Sequence, residues 1–169
     1  VVDGSEKKIK QEVIGQLKTF KEFQYVHAAD LSYVDRIKLA SKKVQSSYVM
    51  CLAEDDFLIF SGLKKALNVL SKDHTLSACF GQIASIDYNQ SKKKSYLIQY
   101  GSSLQNYSIR QTNPTERLLF AFSSYRSFSP YAIFKRSHFK EIWSRIGSSF
   151  CLELSEYEHA INTLLVGQV

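Results

Sequence analysis

Proline is scarce in this chain, with two in 169 residues, and no Pro/Gly-rich stretch marks a linker between domains. No apolar run approaches the roughly 20 residues of a membrane-spanning helix. The opening Val1-Val2-Asp3-Gly4-Ser5 lacks the basic-then-apolar order of a secretory leader. It also lacks an initiator Met, from which we expect a fragment of a longer protein. Cysteine is limited to Cys51, Cys79 and Cys151, with no CxxC pair, which argues against a cysteine-built zinc site and for a reducing compartment. The four histidines show no HExxH or HxH spacing. Internal repeats and low-complexity tracts are absent too, and no Gly-rich phosphate loop is present.

What is there suits one folded domain, residues 1–169. Hydrophobic residues make up 44% and aromatics 13%, enough to build a core. The net charge of +6 favours an anionic partner: a nucleotide phosphate, a nucleic acid or an anionic membrane face. Lysines and arginines are scattered, and the single triplet Lys92-Lys93-Lys94 reads as a solvated hairpin turn.

Periodicity predicts helices over Glu6–Lys18, Val34–Val44, Thr115–Phe122 after Pro114, Ser137–Ile146 and Glu153–Val166, the last stopped by Gly167. A further helix is predicted behind an N-cap at Ser61. Strands are predicted at Val1–Val2, Phe23–His27, Tyr48–Ala53, Leu76–Ile86, Lys94–Tyr100 and Ser129–Phe134. Strands alternate with helices through the first half. The expected fold is therefore α/β, with a mostly parallel central sheet and helices on both faces.

The acidic triplet Glu54-Asp55-Asp56 is the densest chemical feature. It follows Ser47-Tyr48-Val49-Met50-Cys51-Leu52-Ala53, six of whose seven residues are apolar or aromatic, and precedes Phe57-Leu58-Ile59-Phe60. That order puts three carboxylates at the C-terminal edge of a buried strand, where open α/β sheets bind ligands. Acids this close repel unless a cation or a set of donors compensates. A divalent metal with oxygen ligands does so, and usually brings a phosphate. The competing reading is an acidic loop capping the helix that begins near Ser61.

Several segments together resemble a nucleotide-sugar glycosyltransferase of the GT-A type, close to glycosyltransferase family 2. Val2-Asp3-Gly4-Ser5 resembles the family's "VDDGS". Arg36 to Asp56 follows its order of a helix, then a strand ending in a DxD motif, here led by Glu54. Tyr131-Ala132-Ile133-Phe134-Lys135-Arg136 precedes a helix. Glu153-Leu154-Ser155-Glu156-Tyr157-Glu158 resembles the segment with the acceptor-activating carboxylate. The resemblance covers most of the chain, and the family's first strand would lie before Val1.

The resemblance implies a Rossmann-related sheet and a metal-dependent, inverting transfer of sugar from a nucleoside-diphosphate sugar to an acceptor hydroxyl. The acceptor would be a carbohydrate, a lipid-linked molecule or a protein. It implies Mn²⁺ or Mg²⁺ on Asp56, with Glu54 as second ligand, and donor contacts from Asp3, Arg36, Glu54 and Asp55. Glu153 or Glu156 would be the general base. Bland roles compete for each: a turn-forming Asp3, an exposed helix charge at Arg36, and ordinary acidic enrichment at a helix start for Glu153 and Glu156. The expected setting is cytoplasmic, or peripheral at the inner membrane face. Two other functions stay open. One is a basic nucleic-acid-binding module using Phe20, Phe23, Tyr25, Tyr96 and Tyr100; no nucleic-acid partner is expected, because the acidic triplet opposes a phosphate backbone. The other is a nucleotidyltransferase-like domain, disfavoured by the missing phosphate loop.

Overall fold

The computed structural model describes residues 1–53, 56–81, 84–99, 107–123, 131–147 and 151–169. Val2–Asp3 (β1) runs parallel to Val26–His27 (β2), with Val2 opposite Val26 and Asp3 opposite His27. Helix α1, Gln11–Leu17, connects them and buries Ile14. Helix α2 spans Tyr33–Lys43. It starts where the Ser32 hydroxyl accepts the Asp35 amide at 3.1 Å, which satisfies one of the free donors of the first turn.

The mostly parallel central sheet is not what forms. Tyr48–Val49 (β3) and Ala78–Cys79 (β4) each pair antiparallel with Ile133–Lys135, the seventh strand in chain order (β7). The order is β3-β7-β4. Helix α3, Phe60–Lys72, leaves β3 and β4 parallel to each other, as a strand–helix–strand crossover should. They never touch, because a later segment takes the place between them. The other strands are the antiparallel hairpin Ala84–Asn89 (β5) and Lys94–Gln99 (β6). Its turn holds Lys92 and Lys93 of the lysine triplet, while Lys94 opens β6; Lys93 has φ 47° and the Asn89 carboxamide oxygen accepts the Lys92 amide at 3.0 Å.

Alternation gives β3 and β4 one side chain per face, and β7 one on one face and two on the other. Val49, Ala78 and Phe134 pack with the larger core cluster, while Tyr48, Cys79 and Ile133 pack with the smaller one. Ala66 and Leu70 of α3 cover the smaller side. The larger side is closed by α5, Arg136–Arg145, through Phe139, Ile142 and Trp143, and by α6, Leu152–Val166, through Leu164. Full burial of each such side chain contributes roughly 1.5–3 kcal/mol.

Several predicted boundaries move. Tyr48–Ala53 shrinks to two paired residues, and Leu52 and Ala53 are exposed. Ser61 and Ser137 lie inside first turns, because α3 begins at Phe60 and α5 at Arg136, both without a side-chain cap. Helix α4, Pro114–Ser123, begins at the proline itself. Gly167 does follow α6, but in extended backbone at φ −178°. A Cβ there would come within 3.0 Å of the Thr75 carbonyl and 3.1 Å of the Ser77 amide, so the residue is set by close backbone approach. Among the described residues, no helix is long and apolar enough to cross a membrane.

Candidate functional site

The turn after β1 gathers more polar chemistry than its length suggests. Asp3 Oδ1 accepts the Ser5 amide at 2.9 Å, an Asx-type turn that the Asp-Gly-Ser order favours. Asp3 Oδ2 accepts the Tyr25 hydroxyl at 2.6 Å. These donors, Tyr25 first and then Ser5, hold the carboxyl down at about pH 2, so Asp3 is ionised at neutral pH. His27 Nε2 meets the Ser5 carbonyl at 2.8 Å. Arg36 reaches the turn from α2, and its guanidinium lies where a Cβ on Gly4 would stand. The bare backbone of Gly4 thus seats an arginine next to an ionised aspartate.

Tyr33, at the start of the same helix, connects this turn to the C-terminal helix. Its hydroxyl is pushed up to about 12, chiefly by burial, then by Cys51 and Glu156, with Arg36 acting in the opposite sense. Tyr33, Trp143, Ser155, Glu156 and His159 enclose a cavity of about 10 Å³, room for a single water. Trp143 Nε1 is buried there without a hydrogen-bond partner among the described residues. His159 is 2% exposed and pushed down to about 4 by burial, so it sits neutral against Trp143 and Phe134.

The two candidate bases separate. Glu156 is half-buried and faces the cavity. Glu153 is exposed in the first turn of α6, where its Oε2 accepts the Cys151 thiol at 2.9 Å, which lowers its pKa. The third acid of that segment, Glu158, accepts the Gly147 amide at 3.2 Å.

Of the acidic triplet, Glu54 and Asp55 lie outside the described residues. Asp56 is half-buried, and its Oδ2 is buried with no hydrogen-bond partner among the described residues. Its hydrophobic flank turns outward, with Phe57 90% exposed and Ile59 71%. Among the described residues, no three His, Cys, Asp or Glu side chains converge as a metal-binding group. One orphaned carboxylate oxygen suits Mg²⁺ or Mn²⁺ if substrate phosphates and waters complete the shell, since such ions are commonly held by one or two carboxylates.

Arg36 therefore reaches the backbone beside Asp3, at Gly4, and Tyr33 of the same helix lines the cavity that Glu156 faces. Glu153 stands apart. Sequence reasoning offered Tyr25 only as a base-stacking residue and missed His27, Tyr33 and Trp143. Their only sequence signal was a dense aromatic content, which core packing explains equally well. No family model matches this chain, and neither a curated protein nor a solved structure matches it.

Proposed function

We infer that this domain transfers a sugar from a nucleoside-diphosphate sugar to an acceptor hydroxyl, with inversion. The reading rests on site residues and not on the sheet, whose topology differs from the expected one. The observation that carries it is the seating of Arg36 on Gly4 beside the ionised Asp3.

In this reading Asp3 accepts a hydrogen bond from the donor's ribose or base, using lone pairs left free by Ser5 and Tyr25. Arg36 pairs with the diphosphate, where its planar fork suits phosphate oxygens. Glu156 receives the acceptor's proton as the acceptor oxygen bonds to the anomeric carbon and the bond to the phosphate oxygen breaks. Asp56 would hold Mn²⁺ or Mg²⁺, with Glu54 as the second ligand. Held there, the ion would supply positive charge against the departing diphosphate. Tyr33 and Trp143 keep bulk water from Glu156.

Thermal unfolding with UDP or GDP plus Mn²⁺ tests this reading. Saturation at 100 times Kd should add about 2.7 kcal/mol, a rise of roughly 5–11 °C for a domain of this size. Asp56→Ala should abolish the metal-dependent part, and Arg36→Gln most of the shift. The reading fails if no nucleoside diphosphate moves the transition with or without metal.

A further inference from the structure

Behind the sheet lies a second cleft, of about 510 Å³, lined by Ser47, Tyr48, Leu70, His74, Lys135, Arg136, Ser137 and Lys140. None of Asp3, Arg36, Asp56 or Glu156 borders it. Its volume falls within the range of small-molecule sites. Its lining includes three permanent cations and a histidine but no carboxylate.

Backbone oxygens hold two of those cations in place. Lys135 Nζ donates to the carbonyls of Asp73 and His74, each at 3.2 Å. Arg136 Nη1 donates to the Gln45 carbonyl. Carbonyls orient a cation without cancelling its charge. Lys140 stands one helical turn after Arg136 and therefore shares its face of α5. The ion pairs among the described residues are Arg110–Asp73 and Arg145–Glu141, and neither draws on this group. The Lys135 ammonium caps the carbonyls just past the end of α3, while Arg136 and Lys140 stand at the start of α5, whose first turn carries no acid to neutralise them.

We propose that this cleft binds a small molecule bearing a phosphate group. Lys135, Arg136 and Lys140 take the phosphate, and the Ser137 hydroxyl supplies a further donor. The partly exposed Tyr48 ring gives the ligand's carbon body an apolar surface, which selects a phosphorylated ring compound over free phosphate.

The test uses the whole chain with ribose 5-phosphate as probe, and ribose, inorganic phosphate and matched sodium chloride as controls. Ribose 5-phosphate should raise the unfolding temperature and bind more tightly than inorganic phosphate, with no effect from ribose. Lys140→Glu, at an exposed position, should weaken binding at least tenfold. Lys140→Gln, which removes the charge without reversing it, should weaken it by about threefold. Asp56→Ala should leave the affinity unchanged, which separates this cleft from the donor reading. Equal stabilisation by chloride, or wild-type affinity in Lys140→Glu, would overturn the proposal. Displacement of the probe by a single-stranded oligonucleotide at lower concentration would overturn the small-molecule assignment.

Discussion

Asp3 is held ionised by a hydroxyl 22 positions further along the chain. An ordinary carboxyl near pH 3.8 drops to about 2 because Tyr25 and Ser5 donate to its charged form. Its folded pKa lies below its unfolded one. The linked stability is therefore present above about pH 3.8 and is lost as pH falls towards 2. Tyr25→Phe should raise the Asp3 pKa towards the ordinary value, as read by NMR titration of the side-chain carboxyl. The turn itself was legible, since Asp-Gly-Ser codes for it within three residues. Tyr25 and His27 were not, because the parallel pairing of Val2 with Val26 brings them there and no local pattern encodes it.

Helices were the more legible elements, and their ends the less. Thr115–Phe122 against the observed Pro114–Ser123, and Glu153–Val166 against Leu152–Val166, differ by a residue at most at each end, but Glu6–Lys18 against Gln11–Leu17 starts five residues early. Apolar spacing is local, so it survives without knowledge of the partner. The end of α6 was readable from Gly167, but how its last carbonyls are satisfied was not. Its last carbonyls are taken by Arg117 of α4, whose Nε donates to Leu164 at 2.6 Å and Nη2 to Leu165 at 3.4 Å, while Nη1 donates to Gln111 and Thr112. A buried guanidinium thus does the work of a C-terminal cap and ties two helices together. Arg117→Met keeps much of the volume but strands these carbonyls. We expect a loss of roughly 2–4 kcal/mol, measured by urea denaturation. Arg117→Lys should recover only part of it, because one ammonium cannot reproduce the fork.

Across the whole molecule, acid sensitivity should centre on His159. Its folded pKa of about 4 lies below the ordinary 6.5, because burial disfavours the imidazolium. The unfolded chain therefore takes up the proton first. Stability falls as pH drops through about 6.5 and keeps falling until about 4, by ~3 kcal/mol in total. His159→Leu should flatten that limb of the stability–pH curve measured by denaturant unfolding. The fold class was the least legible property. Alternating strands and helices predicted parallel neighbours, but hydrogen-bond partners are chosen by segments far apart in sequence.

The place of β7 also dictates the order in which the molecule can be completed. Tyr48 pairs with Lys135, and Ala78 with Phe134. Synthesis runs from the N-terminus, so β3 and β4 leave the ribosome long before the strand that joins them. Until Ile133–Lys135 follows, each has an open edge facing the gap, and closing that gap carries the entropy of a long loop. A nascent chain halted before Ile133 would hold two unjoined strands, with the apolar faces of Val49 and Ala78 still waiting for Phe134 to cover them.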